Sequence, residues 1–177
     1  MARNMSILLW KGILFLLMLG FLTACASGKK ATKKLIEVEG EKMLVGELTY
    51  SEILEEFQEW RDADALATIP SGVVERLKKI TTPVEIQCFL GTWCSDSKQG
   101  VPPMVKALQQ AQNKNIHLTL YGVDRQKDDP LHLGPQHQIE RVPTFIIYQN
   151  GEEIARLEEY PMNATFAEDL LDILNIK

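Results

Sequence analysis

The residue best placed for chemistry in this sequence is Cys94. It follows an apolar run at 84–90 that predicts a buried strand, and it precedes a stretch with helical spacing that extends to about Gln112. A thiol at the start of a helix faces unpaired backbone N–H groups and the positive end of the helix dipole, and both stabilise the thiolate over the thiol. Because the thiolate is the reactive form of cysteine, the sequence predicts a nucleophile at Cys94.

Three side chains close to Cys94 bear on its reactivity. Ser97 can donate a hydrogen bond to a thiolate, which favours the charged form. Asp96 would oppose that form and Lys98 would favour it, so the sequence leaves the net effect of the two charges open. We favour the simpler interpretation that both are exposed residues in the first turn of a helix.

The elements around Cys94 alternate between strands and helices. Apolar or alternating runs predict further strands at 116–123, 145–148 and 152–157. Spacings of three and four residues predict helices at 51–60, 71–80 and 165–174. The last two strands are joined by Asn150-Gly151, a dipeptide typical of tight hairpin turns. The order of elements is therefore strand-helix-strand, followed by a hairpin and a last helix.

Sequence motifs in this region resemble those of the thioredoxin superfamily. They are Trp93-Cys94-x-x-Ser97-Lys98, Pro102 in the following helix, and Arg141-Val142-Pro143-Thr144-Phe145, and the match spans roughly residues 84–160. The resemblance implies an α/β fold with three α/β/α layers and a central mixed sheet. The helices before residue 84 would then be an N-terminal helical extension of that fold.

The same resemblance implies roles for individual residues. Pro143 would form a cis peptide bond beside the nucleophile, and the backbone at Val142 would pair with a substrate strand. Trp93 would lie at the rim of a peptide-binding surface, because the family keeps an aromatic residue there. The substrate-binding residues are therefore expected to be Trp93, Val142 and Pro143.

Ser97 is where the sequence departs from the dithiol members of the superfamily. Those proteins carry a second cysteine at this position, which resolves the mixed disulfide formed when the first thiolate attacks a substrate. A serine cannot do so, and an outside thiol or a second protein must complete turnover. Cys88, six residues before Cys94, is a possible auxiliary thiol. We favour a buried, inert Cys88, since free cysteine is among the most buried residue types.

The N-terminus has the pattern of an export signal. Arg3 and Lys11 precede an apolar run at 12–22, which is shorter than the roughly 20 residues that a bilayer-spanning helix needs. The run ends in Leu22-Thr23-Ala24-Cys25, which resembles the lipobox of bacterial lipoproteins. The resemblance implies a lipid anchor on Cys25, and the alanine that follows is similar to the pattern of outer-membrane lipoproteins.

These features predict three segments. Residues 1–24 form a signal peptide, 25–48 a lipidated tether followed by a short hairpin or extended arm, and 49–177 the thioredoxin-like domain with its N-terminal helices. The protein is thus expected at the cell envelope, and in a Gram-negative host on the periplasmic face of the outer membrane. We expect the helices before residue 84 to cover one end of the sheet, since their apolar stripes must be buried somewhere.

Composition and spacing argue against several other functions. The chain of 177 residues carries a net charge of -5, so nucleic acid is not an expected partner. The three histidines, His117, His132 and His137, match no strong metal-ligand spacing, and we expect neither a metal site nor another cofactor. Phosphate-binding glycine loops and nucleophile elbows are absent from the sequence.

The sequence supports two functional hypotheses. The first is a membrane-anchored monothiol oxidoreductase, in which Cys94 exchanges disulfides with a protein or low-molecular-weight thiol, Ser97 assists, and Val142 and Pro143 hold the substrate. The second is a binding or assembly module of the cell envelope that keeps the fold and does no redox chemistry. Replacement of Cys94 by alanine separates the two, since only the first hypothesis requires the thiol.

Overall fold

The structure, a computed structural model, describes residues 33–176. Its strands are β1 (Lys34–Val38), β2 (Glu41–Leu48), β3 (Val84–Leu90), β4 (Ile116–Gly122), β5 (Thr144–Gln149) and β6 (Glu152–Glu158). Its helices are α1 (Tyr50–Glu56), α2 (Gln58–Leu66), α3 (Val73–Lys78), α4 (Ser95–Ala111), α5 (Leu133–Gln136) and α6 (Phe166–Ile173). None of these described helices is long and apolar enough to cross a membrane. The predicted signal peptide, Cys25 and almost all of the tether lie outside the described residues.

The strands form one mixed sheet in the order β1-β2-β4-β3-β5-β6. Among these described strands β3 and β4 run parallel, and every other neighbouring pair is antiparallel. β3 lies in the middle of the sheet, where both of its faces are covered, as its nearly continuous apolar run predicts. The predicted α/β class with a central mixed sheet is confirmed.

The sheet begins before residue 49, where the sequence placed the start of the domain. β1 and β2 form a hairpin, and residues 46–48 of β2 pair with β4. A Cβ atom at Gly122 of β4 would lie 2.2 Å from the Leu44 carbonyl oxygen, so the close approach of the two strands requires glycine. The hairpin is thus an edge of the sheet rather than a separate arm, because the apolar side chains of β2 are buried there.

Helices lie on both faces of the sheet, but unequally. On one face α1, α2, α3, α4 and α6 form the main core, which includes Trp60, Leu77, Met104 and Phe166. The other face is covered by α5 and the loops around it, over a smaller core of Phe89, Val123, Ile139, Val142 and Ile146. The N-terminal helices therefore cover the sheet, as their apolar stripes predict.

The first predicted helix is interrupted in the structure. α1 ends at Glu56, Phe57 has an extended backbone (φ -117°, ψ 119°), and α2 begins at Gln58. The Arg61 guanidinium donates to the carbonyl oxygens of Leu54 and Glu55, which the interruption leaves without helical partners. Phe57 and Trp60 are both buried. Because the apolar spacing continues across the break, periodicity alone does not reveal it.

Candidate functional site

The turn between β3 and α4 presents Cys94. The Cys94 N–H donates to the Gly91 carbonyl oxygen (2.9 Å), and the Cys94 carbonyl oxygen accepts from the Lys98 N–H (3.1 Å). Cys94 is the N-cap residue of α4, with an extended backbone (φ -88°, ψ 130°), and it is half-buried. The thiol therefore stands at the N-terminus of a helix of 17 residues.

The Cys94 sulfur lies beside the segment that precedes β5. Its thiol donates to the Val142 carbonyl oxygen over 3.3 Å. The Val142–Pro143 peptide bond is cis, and both residues are buried. The Glu159 N–H, at the end of β6, donates to the Pro143 carbonyl oxygen (2.8 Å). Two motifs that are almost 50 residues apart in the sequence are thus in direct contact.

Ser97 supports the turn and does not touch the sulfur. It is fully buried, and its hydroxyl oxygen accepts from the Gly91 N–H over 3.2 Å. Within residues 33–176 the hydrogen bond of the Cys94 thiol is the one to Val142, and none joins it to Ser97. The Gly91 N–H lies just beyond β3, where it has no strand partner, so a buried acceptor is needed there.

Thr92 connects the same turn to the N-terminal elements. Its carbonyl oxygen accepts from the Trp60 indole N–H of α2 (2.9 Å), and its hydroxyl oxygen accepts from the Leu44 N–H of β2 (3.2 Å). Both Thr92 and Trp60 are almost completely buried. The elements before residue 84 therefore hold the loop that carries the thiol. The sequence alone does not reveal this role, because helical spacing shows that Trp60 is buried but not which group its indole N–H reaches.

Trp93 is held on the smaller core. Its indole N–H donates to the Val123 carbonyl oxygen (3.0 Å). A Cβ atom at Gly91 would lie 2.6 Å from the ring, so the tight packing of the ring on the turn requires glycine. The guanidinium carbon of Arg125 lies 4.7 Å from the ring centroid, and Nζ of Lys127 lies 5.8 Å from it. The residue next to the thiol is therefore half-buried, and two cations lie over its ring.

The charged residues in the first turn of α4 both have partners. The carboxylate of Asp96 accepts from the Tyr160 hydroxyl (3.2 Å), and this bond raises the pKa of Tyr160. The Lys98 ammonium lies 3.7 Å from a carboxylate oxygen of Glu59 on α2. Lys98 thus lies on the α2 side of the turn, where the Glu59 carboxylate partly offsets its positive charge.

Cys88 lies on β3 within the main core. It is fully buried and forms no disulfide. Burial raises the pKa of the Cys88 thiol well above its ordinary value, because the thiolate would lose its hydration. A thiol that stays protonated is a poor nucleophile. The structure therefore gives no support to Cys88 as an auxiliary thiol.

The histidines have separate environments. His132 pairs with Asp128 (2.8 Å), His137 packs against the ring of Phe89 (5.3 Å between centroids), and His117 is exposed on β4. The segment between His132 and His137 contains the single turn of α5. Within the described range no group of three or more His, Cys, Asp and Glu side chains could hold a metal ion.

His137 predicts a pH dependence of stability. Burial, together with the Arg156 cation, holds the pKa of His137 below its ordinary value of 6.5. The unfolded chain then takes up this proton at a higher pH than the folded chain, so the free energy of unfolding should fall as the pH drops below about 6.5. Denaturant unfolding at pH values from about 8 to 5 measures this decline. The decline should be smaller in His137→Gln, and an identical pH profile would contradict the assignment.

Comparison with known families decides the classification. Residues 48–170, more than two thirds of the chain, match the family described as Thioredoxin. The chain belongs to this family. A comparison with curated proteins finds no match. Family membership and the Cys94 thiol at a helix start support a redox or thiol-related role for this thioredoxin-family protein.

Several solved structures are similar to this thioredoxin-family chain. A protein of unknown function from Pseudomonas aeruginosa aligns with a TM-score of 0.53 at 18% identity, over 72% of this chain and 98% of that one. Thioredoxin f2 from Chlamydomonas reinhardtii aligns with a TM-score of 0.42 at 22% identity, over 57% of this chain and 84% of that one. Thioredoxin O2 from Arabidopsis thaliana aligns with a TM-score of 0.40 at 16% identity, over 62% and 94%. The first similarity supports the fold and nothing beyond it.

Proposed function

We propose that this protein is a monothiol oxidoreductase that performs thiol–disulfide exchange through Cys94. The observation that carries the proposal is the position of the half-buried thiol, at the N-terminus of α4 and 3.3 Å from the Val142 carbonyl oxygen. Thiols at the N-termini of helices act as nucleophiles in many proteins. The thiol is also partly accessible, which attack on a substrate requires.

The proposed exchange has two steps. Cys94 loses its proton to solvent, its sulfur leaves the Val142 carbonyl, and the thiolate attacks one sulfur of a disulfide. The bond between Cys94 and that sulfur forms while the substrate disulfide breaks, and the second substrate sulfur leaves as a thiolate. The thiolate of an external thiol then attacks the substrate sulfur, forms a new disulfide with it and expels Cys94 as a thiolate. Ser97 carries no sulfur, so the external thiol is required.

The surface around the thiol suits an extended substrate. Once the sulfur turns away, the Val142 carbonyl oxygen is free to accept a backbone N–H from a substrate strand. A pocket of about 220 Å³ is lined by Asp96, Pro103 and Tyr160, among others. We assign Ser97 a positioning role through its bond to Gly91, in place of the direct assistance that the sequence suggested.

We base the proposed location of the protein, and the partners it would meet there, on the N-terminal sequence. A lipid on Cys25 would anchor the protein to a membrane of the cell envelope, on the periplasmic face of the outer membrane in a Gram-negative host. The tether after it would leave the domain free to meet protein or low-molecular-weight disulfides. Growth in labelled palmitate, followed by detection of the label in the wild-type chain and in Cys25→Ala, tests the anchor.

Mixed-disulfide formation at Cys94 tests the proposed chemistry. The full chain is incubated with bis(2-hydroxyethyl) disulfide, quenched with acid, and the peptide that contains Cys94 is analysed by mass spectrometry. We expect the mercaptoethanol adduct on the wild-type peptide, and the same adduct in the matched control Cys88→Ala. An unmodified Cys94 peptide in a chain with a native circular-dichroism spectrum would overturn the proposal and favour a binding module without redox activity.

A further inference from the structure

Two adjoining pockets lie along α4. The first, of about 220 Å³, is lined by Asp96, Tyr160 and Phe166, among others. The second, of about 350 Å³, is lined by Lys98 and Leu66, among others. The residues that line both pockets are Gln99, Pro103, Ala164 and Thr165. The two pockets therefore form one groove, the α4 groove, which has the end of α2 on one wall and the loop after β6 on the other.

The α4 groove starts beside the proposed nucleophile. Asp96 is the second residue after Cys94 and lies in the first turn of α4. On the opposite wall, the Glu159 N–H donates to the Pro143 carbonyl oxygen (2.8 Å). The residue before this proline is Val142, whose carbonyl oxygen accepts from the thiol (3.3 Å). A polypeptide joined to Cys94 by a disulfide therefore has the groove next to it.

Polar contacts hold both walls of the groove in place. The buried carboxylate of Asp169 accepts from the backbone N–H groups of Met162 and Asn163 (both 2.8 Å), which fixes the loop after β6 on α6. The Lys106 ammonium of α4 lies 3.5 Å from the Asp64 carboxylate and also donates to the Asp64 carbonyl oxygen, which fixes the end of α2 on α4. A groove that is already formed loses little conformational entropy when a ligand binds.

Apolar side chains are exposed on both walls. Leu66, the last residue of α2, is 80% exposed, and Tyr160 and Met162, in the loop after β6, are 62% and 91% exposed. The described residues include six large apolar side chains that are exposed, and half of them belong to these two walls. Single exposed apolar residues are ordinary, but a concentration of them marks an interaction surface. The groove is therefore suited to an apolar ligand.

Most charges in the groove are paired. Of the described residues that line it, Asp96, Lys98 and Glu159 are charged. Lys98 lies 3.7 Å from Glu59, and Glu159 pairs with Arg141. Asp96 accepts from a tyrosine hydroxyl, and no cation of residues 33–176 lies within ion-pair distance of it. The groove thus suits a neutral segment, and an acidic one would be repelled at the end closest to the thiol.

Gln99 provides a polar group in the middle of the groove. It is exposed, lines both pockets, and its side-chain amide forms no hydrogen bond within the described part of the chain. A carboxamide has N–H donors and a carbonyl acceptor, the same groups as a peptide bond. The Gln99 side chain can therefore bond to the backbone of an extended polypeptide.

We propose that the α4 groove binds an extended, apolar segment of a protein substrate, within a few residues of the cysteine that Cys94 attacks. The inference rests on the proposed exchange and makes a protein disulfide the preferred substrate. Seven residues of helix separate Asp96 from Pro103, a rise of about 10 Å. This length equals about three residues of extended chain. Gln99 pairs with the backbone of the segment, and the apolar side chains of the segment cover those of the two walls.

Exchange with two matched peptides tests the preference. Each peptide has a central cysteine blocked as its disulfide with mercaptoethanol, and its flanking positions carry leucines in one peptide and serines in the other. The full chain is mixed with each peptide below saturation and quenched with acid, and mass spectrometry gives the rate of mixed-disulfide formation at Cys94. The leucine peptide should react about tenfold faster, because its side chains are removed from water. The ratio of the two rates cancels any change in the reactivity of the thiol.

Substitutions in the groove should change these rates in different ways. Leu66→Ser should lower the leucine-to-serine ratio about two- to fivefold. The matched control Ile154→Ser, an exposed site on β6 that lines neither pocket, should leave it unchanged. Gln99→Ala should slow both peptides about equally, by about two- to fivefold relative to bis(2-hydroxyethyl) disulfide. Gln110→Ala, an exposed site on the same helix, is its control.

The outcomes separate this inference from the proposed exchange. A wild-type ratio near one, or equal ratios in the wild type and Leu66→Ser, would overturn the inference, while an adduct with bis(2-hydroxyethyl) disulfide would still support exchange at Cys94. A dimer in size-exclusion chromatography that Leu66→Ser converts to a monomer would show that a second copy covers the groove, which also overturns it. If neither the peptides nor the small disulfide modify Cys94, both proposals fail.

Discussion

Ser97→Cys is expected to shorten the lifetime of mixed disulfides at Cys94 by a factor of about a hundred or more, since an intramolecular thiol competes at high effective concentration. Cys94 is the N-cap of α4 and residue 97 is its N3 position. In capped helices the side chain of the N-cap residue lies close to the N3 residue. A disulfide needs Cβ atoms about 3.5–4.5 Å apart. The introduced thiol should therefore attack Cys94, close an internal disulfide and expel the substrate as a thiol.

The lifetime of the mixed disulfide is measured in acid-quenched samples. The mercaptoethanol adduct of Cys94 is formed, excess reagent is removed, and the adduct is followed by mass spectrometry at acid-quenched time points. Ser97→Ala is the matched control: it leaves the Gly91 N–H without its buried acceptor and should cost about 1–3 kcal/mol of folding stability, but it adds no resolving thiol. An adduct equally long-lived in Ser97→Cys and the wild type would show that residue 97 does not face the sulfur during exchange.

Trp60→Ala should lower the free energy of unfolding by about 3–5 kcal/mol, the range for large aromatic residues removed from a core. Trp60 is completely buried between α2 and the sheet. The substitution also deletes the indole N–H that donates to the Thr92 carbonyl oxygen (2.9 Å). Urea unfolding, followed by circular dichroism, gives the free energy. A loss below about 1 kcal/mol would show that the N-terminal helices do not unfold together with the sheet.

Trp60→Phe separates the two contributions of this residue. Phenylalanine keeps much of the buried area but cannot donate to Thr92, so we expect a loss of about 1–3 kcal/mol from the unpaired carbonyl and the smaller ring. The turn that carries Cys94 should also become more mobile, because it loses one of the two hydrogen bonds that join it to the described N-terminal elements. Hydrogen exchange at residues 91–94 is expected to accelerate more than exchange in β5, which reports only the loss of global stability. Equal acceleration at the two places would mean that the Leu44 contact alone holds the turn.

Local patterns in the sequence determined a large part of this structure. The strands around Cys94, the hairpin closed at Asn150-Gly151 and the last helix all form where their periodicity or turn residues predict them. The start of α4 at Cys94 is likewise where the local pattern predicts it. Each of these elements depends on a residue and its near neighbours in the chain, so the local sequence is enough to predict it.

The tertiary structure decided which polar groups meet. The Ser97 hydroxyl reaches Gly91 and not the sulfur, the Trp60 indole reaches Thr92, and Lys127 lies over Trp93. Tertiary pairing also made β2 a strand of the sheet, although its pattern alone fits a separate hairpin equally well. Apolar spacing identifies a buried side chain without identifying its neighbour, because burial is non-directional. A hydrogen bond or ion pair has a direction, and its partner depends on how distant elements pack together.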